Sequence, residues 1–354
     1  MTQELQHKIE NLINSNQETD DREITSRLKK LLYEIELENI DNKEAKSVST
    51  LVAESILQLN EEASSYPAIE TGFVDLDRLL GGFRPGELVV IGGRPSMGKT
   101  QLLVNLSSYI SRRFPVLYFT FDLSAFLLTC RFLSLATEIP GRNLLRHNLD
   151  EDQKTRLSAV EEYFNARKLF ISGDCIHSVE ALKALSQKYI RERGMKVIVI
   201  DYLQMLNSQN RYHRGNRETE VSHIMRELKA IAKECNMCVI VSSQLSRSVE
   251  SRCGSKRPQL SDLRESGAIE QDADKVLFIH RPEYYGFTMD ENNMPVTGVA
   301  EIIVAKNRTG PTDTIRLLRD SEFTKFRDYE EDSADLNQFT FSEERLLELE
   351  KSPF

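Results

Sequence analysis

Residues 93–100 read GRPSMGKT: a glycine, four residues, then Gly-Lys-Thr. Gly93 and Gly98 let backbone N–H groups come close to phosphate oxygens. The Lys99 ammonium reaches the β- and γ-phosphates, and the Thr100 hydroxyl is a ligand for a magnesium ion. Arg94, Pro95, Ser96 and Met97 complete the loop, and Gln101 follows it. The run LVVIG stands just before and QLLVNLSSYI just after, which reads as strand, loop, helix. By chance this motif appears in roughly one chain in a hundred of this length, and the flanking elements lower that figure. ATP and Mg2+ are the expected cofactors.

A phosphate cradle needs an acidic partner at the end of a buried strand to hold the metal. KVIVID, ending in Asp201, is the best candidate. VIVSSQLSR puts Ser242, Ser243 and Gln244 straight after another buried strand. In a parallel α/β sheet, ligands sit at the carboxyl ends of the strands, so Gln244 is placed to feel a γ-phosphate. ECNMC contains a C-x-x-C, but no second Cys or His pair lies nearby, so two small buried thiols are expected there rather than a metal site.

These residues need a scaffold. Short β-branched runs at 88–92, 116–121, 169–172, 197–200, 239–242, 276–280 and 299–305 alternate with amphipathic stretches. That pattern predicts an α/β fold with a mainly parallel central sheet covered on both faces. Residues 1–65 are polar with helical spacing, and ITSRLKKLLYEIELENI and SVSTLVAESILQLNEEAS each carry one apolar stripe. These helices are too sparse in apolar residues to form a core of their own and are expected to pack on something else. The expected division is a helical extension over 1–65, an α/β nucleotide-binding domain over 66–328, and an acidic tail over 329–354.

The 354 residues carry a net charge of −9 and are 40% hydrophobic, enough for a core. No run approaches the ~18 apolar residues of a membrane span. The polar start MTQELQHKIE predicts no secretory leader. Five cysteines make no disulfide ladder, so a cytoplasmic protein with reduced thiols is expected. The acidic total argues weakly against a nucleic-acid partner, but it hides two basic runs. One is RYHRGNR, with Arg211, Arg214 and Arg217. The other is RSVESRCGSKR, with Arg252, Lys256 and Arg257.

Residues from about 70 to 328 resemble the C-terminal motor domain of bacterial DnaB-type replicative helicases. The resemblance is carried by TGFVDLDRLLGGFRPGELVVIGGRPSMGKT, VIVIDYLQML, NRETEVSHIMRELKAIAKE, VIVSSQLSRSVESR and, above all, KRPQLSDLRESGAIEQDADKVLFIHRPEYY. It implies a RecA-like P-loop ATPase fold, a homohexameric ring, ATP hydrolysis at subunit interfaces, and 5′ to 3′ movement along single-stranded DNA. It assigns Lys99, Thr100 and Asp201 the roles above and makes Gln244 a γ-phosphate sensor. It matches Lys306 and Arg308 in VAKNRTGP to paired cations that reach a neighbouring subunit's ATP. It places the two basic runs, Arg264, Glu265 and Gly267 in DNA-facing loops, with contacts to the phosphate backbone.

Two departures from the family bear on function. The family carries a globular N-terminal domain that builds a collar and meets primase. About 65 residues precede the motor in this sequence, among which SVSTLVAESILQLNEEAS resembles the family's linker helix, so the expected partners are single-stranded DNA and further copies of the chain, with no primase or loader named. In LYFTFDLS, Asp122 stands where the family has a water-polarising glutamate, one methylene longer. A 1 Å misplacement of a catalytic base can cost about a hundredfold in rate. An active helicase, of a chromosome or of a phage, plasmid or other mobile element, is the leading expectation. The alternative is an attenuated or inactive relative acting as a nucleotide-gated DNA-binding or scaffolding subunit. A recombinase-type filament is a third reading, disfavoured by SDLRESGAIEQDAD.

Overall fold

The computed structural model describes residues 46–60, 67–173, 177–208, 217–252, 254–263, 266–290, 293–320, 322 and 325–329. The chain divides between residues 65 and 66 into two units. In the first, α1 (Val48–Asn60) bears out the helix read in SVSTLVAESILQLNEEAS. Ser47 starts it: its hydroxyl accepts the Thr50 amide at 3.2 Å, satisfying one first-turn donor. Lys46 pairs with Glu54 at 2.7 Å. Leu51, Val52, Ile56 and Leu57 stay exposed on this helix. The helix expected over 24–40 lies outside the described residues, as does the acidic tail beyond Tyr329.

In the second unit the chain runs α2 (Val74–Leu80), β1 (Leu88–Gly93), α3 (Lys99–Ile110), β2 (Val116–Thr120), α4 (Ala125–Thr137), α5 (Glu151–Asn165), β3 (Leu169–Ser172), α6 (Val179–Arg193), β4 (Val197–Asp201), α7 (Arg217–Glu234), β5 (Cys238–Gln244), α8 (Ser266–Asp272), β6 (Lys275–His280), β7 (Val299–Asn307), β8 (Thr314–Arg319) and β9 (Phe326–Asp328). The strands form one nine-stranded sheet in the order β3-β2-β4-β5-β1-β6-β7-β8-β9. The six strands from β3 to β6 are parallel, and β7, β8 and β9 continue antiparallel. The expected α/β architecture is therefore present.

Every residue of β1, β2, β4 and β6 is buried, because each strand feeds two cores. Val89 and Ile91 of β1, Val116 and Tyr118 of β2 and Val197 and Val199 of β4 pack on the face covered by α3 and α4. Leu88, Val90, Leu117, Phe119, Ile198 and Ile200 pack on the other face, against Val221, Ile224 and Leu228 of α7. Such two-sided burial explains why these runs are continuously apolar rather than alternating. β8 and β9 were not expected. TIRLLR is β-branched only at its start and alternates buried Ile315 and Leu317 with more exposed arginines and leucine, the pattern of a half-covered strand near a sheet edge.

Candidate active site

The loop between β1 and α3 is built by steric necessity. Gly98 sits at φ 100°, in the left-handed region that favours glycine. A Cβ on Gly93 would meet Ile279 of β6 at 2.8 Å and the Lys99 side chain at 3.2 Å. Met97 is buried and anchors the loop from beneath, while Arg281 donates to the Ser96 carbonyl at 3.0 Å. No side chain caps the α3 N-terminus, so its first amides and the helix dipole favour an anion there. Lys99 curls over the loop, donating to the carbonyls of Gly93 at 2.8 Å and Arg94 at 3.0 Å. Burial lowers its pKa to about 8, opposed by the charges of Asp201 and Asp122 and reinforced by Arg94.

Asp201 ends β4, 3% exposed. Three hydroxyls serve its carboxylate. Thr100 donates to Oδ2 at 2.7 Å, Tyr118 to Oδ2 at 3.2 Å, and Ser242 to Oδ1 at 2.5 Å. Burial, then the Asp201 charge, drives the Tyr118 pKa well up, so its hydroxyl stays a donor. A buried carboxylate next to a threonine hydroxyl offers hard oxygen ligands. Magnesium is commonly held by one or two carboxylates plus substrate phosphates rather than an all-protein cage. No group of three or more His, Cys, Asp or Glu side chains suited to a metal occurs among the described residues. The Thr100–Asp201 pair beside a phosphate loop therefore fits that ion.

Gln244 ends β5 and lies in register with Gly93. Ser242 and Ser243 belong to this strand rather than following it, and both are fully buried. Gln204 was not singled out in the sequence. It sits in a short turn after β4, donates to Ser243 Oγ at 2.9 Å and accepts the Gln244 amide at 3.1 Å. The signal available was a lone amide within an apolar LQML. Asp122 is exposed on the loop that follows β2. Its charge opposes the burial that lowers the Lys99 pKa and adds to the burial that raises that of Tyr202, which puts it beside the cradle. The preceding Phe121 amide donates to the Asp201 carbonyl at 3.0 Å.

Lys306 and Arg308 stand at the opposite end of the strands, where the parallel strands begin. Lys306 is in register with Val276, at the start of β6, whereas the cradle lies past the end of the parallel strand β1. A six-residue strand is roughly 20 Å long. Lys306 donates to the Glu270 carbonyl at 2.5 Å. Arg308 donates to the Gln271 carbonyl at 2.6 Å and to Asp274 Oδ1 at 3.3 Å. Both cations thus cover the last carbonyls of α8, the negative end of that helix.

The sequence profile of the DnaB-like helicase C terminal domain matches residues 68–328. Replicative DNA helicase DnaB of Rickettsia conorii is 35% identical over 350 residues, covering 91% of this chain and 70% of that protein. The DnaB of Rickettsia typhi is 37% identical, covering 84% of this chain and 65% of the relative. The chain belongs to the DnaB-like helicase family. Two solved structures agree. One, an isolated ATPase domain, superposes with a TM-score of 0.73 at 29% identity, covering 81% of this chain and all of that one. A DnaB-like replicative helicase described with its primase interactions gives 0.75 at 28%, covering 92% and 76%. The fold is accordingly the RecA-like fold of DnaB ATPase domains. No helix among the described residues is long and apolar enough to cross a membrane.

The residues expected in the DNA-facing loops of this DnaB-like chain fall into distinct settings. Arg211, Arg214, Arg264 and Glu265 lie outside the described residues. Arg217 opens α7 and donates to the Leu206 and Gln204 carbonyls and to Glu220. Gly267 is exposed with open space where a side chain would be. Arg252 pairs with buried Asp262 at 2.6 Å, and Arg257 grips buried Glu301 at 2.8 Å. Lys256 forms no ion pair among the described residues and stands 5.2 Å from the Tyr285 ring centre.

Proposed function

We propose that the chain is the ATP-hydrolysing motor of a DnaB-type helicase, working as a homohexameric ring that moves 5′ to 3′ on single-stranded DNA. The observation that carries this reading is the split of charge between the sheet's two edges. Lys99, Thr100, Asp201 and Gln244 gather at the edge formed by the carboxyl ends of the parallel strands, and Lys306 and Arg308 at the edge formed by their amino ends. Two cations a strand's length from their own cradle can serve a nucleotide only if another copy holds it.

In this reading the amides of the 93–98 loop and the Lys99 ammonium grip the β- and γ-phosphates. A magnesium ion held by Thr100 and Asp201 would supply charge neutralisation between those phosphates. Tyr118 and Ser242 orient the Asp201 carboxylate. Asp122 orients and deprotonates the attacking water, and Gln244 senses the γ-phosphate. Arg308 and Lys306 of an adjoining copy stabilise the charge that develops in transfer, which makes hydrolysis depend on assembly. DNA contacts fall on the phosphate backbone without sequence preference.

The test is ATP turnover with and without oligothymidine, measured beside particle images and unwinding of a fork with a 5′ tail. The reading expects closed rings, turnover raised by DNA, and unwinding only with the 5′ tail. Rings whose turnover ignores DNA would remove it. The attenuated-subunit reading is favoured by Asp122 and expects nucleotide-dependent DNA binding with negligible turnover.

A further inference from the structure

Arg94 stands second in the phosphate loop, but its side chain is committed elsewhere. Its Nη1 donates to the Leu245 carbonyl at 2.8 Å. Its Nε and Nη2 both donate to Glu250 Oε1, at 2.9 and 2.8 Å. These side-chain bonds of a cradle arginine all land on the segment that follows Gln244. The guanidinium is 11% exposed and Glu250 43% exposed, so the pair adds little to folding. A planar guanidinium sharing two N–H groups with one carboxylate does fix direction.

The segment it holds is itself tied together. Leu245 bridges to Leu263, and the Ser246 amide donates to the Asp262 carbonyl at 2.7 Å. Arg252 binds the Asp262 carboxylate and the Arg257 carbonyl. Glu250 lies on the single helical turn Ser248–Ser251 between them. Arg252, Lys256 and Arg257 ride on this segment. At its other end, Arg94 is held through its own carbonyl by Lys99. Phosphates that recruit the Lys99 ammonium would take that bond away, together with the one to Gly93. A shift of the Arg94 peptide is then passed through its side chain to Leu245 and Glu250.

We infer that the Arg94–Glu250 ion pair is a positioning link that makes the grip of residues 245–257 on single-stranded DNA depend on what the cradle holds. The inference rests on the reading of the chain as a nucleotide-driven DNA motor and adds the route by which nucleotide state reaches the DNA side. Glu250 touches neither nucleotide nor DNA in this account and acts only through Arg94.

The experiment measures the affinity of the assembled protein for fluorescein-labelled oligothymidine by anisotropy, once with ADP and once with a non-hydrolysable ATP analogue. The quantity read is the ratio of the two dissociation constants. Glu250→Gln is expected to move that ratio toward one by about fivefold, equivalent to a coupling near the low end for linked sites. Binding of a fluorescent nucleotide should change by less than about twofold. Glu250→Asp, which keeps the charge, should give an intermediate ratio. Arg94→Gln combined with Glu250→Gln should be no worse than the more damaging single change, because both remove one interaction. A full wild-type ratio in well-folded Glu250→Gln overturns the link and leaves the motor reading standing, as do losses that simply add. A wild-type protein whose DNA affinity ignores nucleotide overturns the motor reading and the link with it.

Discussion

The carboxyl ends of the parallel strands, the cradle edge, and their amino ends, the far edge, carry similar charges in opposite circumstances. At the cradle edge, Lys99 spends its ammonium on the carbonyls of its own loop, and Asp201 is served by three neutral hydroxyls. At the far edge, Asp274 draws Lys229, Arg308 and the Leu88 amide together, and buried Lys275 pairs with buried Glu87. The far edge is a nearly closed ion-pair network. At the cradle edge the two Lys99 bonds go to carbonyl acceptors that an arriving phosphate could replace one for one. Arg308 is the most open member of the far edge: its side chain is 49% exposed and is held by one helix-end carbonyl, that of Gln271, and by Asp274 at 3.3 Å. Site chemistry is thus distinguished less by the presence of charge than by how replaceable its present partners are.

The largest expected effects test whether the two edges act on the same nucleotide. Lys99→Ala and Arg308→Ala should each abolish most ATP turnover, with loss of a trans cation alone costing about a thousandfold. Lys99→Ala subunits keep Arg308, and Arg308→Ala subunits keep an intact cradle. Mixing the two should therefore restore hydrolysis at interfaces where each supplies what the other lacks. Absence of recovery at every ratio, in rings shown to be mixed, would break the proposed division between edges.

A smaller effect is expected at Asp122, inside the cradle edge. If it activates water from one methylene short of the family geometry, Asp122→Glu should raise DNA-stimulated turnover about tenfold, or about 1.4 kcal/mol of barrier. Nucleotide affinity should barely move, since this group acts in the transition state. Asp122→Asn should lower turnover further. A loss with both variants means a site retuned around aspartate. Equal near-zero rates for Asp, Glu and Asn would favour the scaffolding alternative.

How much of this was legible in the sequence differs by kind. The seven apolar runs stand in the structure as strands, most plainly β1, β2, β4 and β6, because a strand buried on both faces must be apolar throughout. β8 and β9 escaped because a half-covered strand such as TIRLLR carries its signal in only every second residue. Gly93, Gly98, Lys99 and Thr100 were visible through fixed spacing. Tyr118 was not, since only the pairing of β2 with β4 brings it to Asp201, and Gln204, three residues after Asp201, meets Ser243 and Gln244 only through the turn that follows β4. The basic run 247–257 shows the reverse limit. Composition counted its cations equally, but Arg252 and Arg257 face buried carboxylates.

That difference sharpens the expectation for DNA binding. Lys256→Gln should flatten the slope of log affinity against log salt by about 0.7 on single strands if it contacts one phosphate. Arg252→Gln and Arg257→Gln should instead lower the thermal midpoint, because each leaves a buried carboxylate short of its partner. An unchanged salt slope in Lys256→Gln would return that lysine to the solvated surface.

The smallest effect separates the lysines of the two edges by their protons. Burial lowers the pKa of Lys99 to about 8, and burial followed by the Arg308 charge lowers that of Lys306. For Lys99 the sign is fixed. Its folded pKa lies below the unfolded value, so between about 8 and 10.5 the unfolded chain binds more protons and stability of the nucleotide-free protein rises with pH. Bound phosphates favour the ammonium, so nucleotide binding should take up a proton in the same window. At pH 8.5 the uptake should be a sizeable fraction of one proton, the share of Lys99 that is neutral beforehand. The nucleotide's own phosphates, with a last pKa of about 6, are already ionised there. Calorimetry in two buffers of different ionisation enthalpy reads this number directly. Lys99→Arg, which stays charged, should remove it. Lys306→Arg should leave uptake by unassembled subunits untouched and lower it only in rings, where a neighbour's phosphate can reach that edge. Uptake unaffected by Lys99→Arg would mean that the cradle lysine is not the group meeting the phosphates.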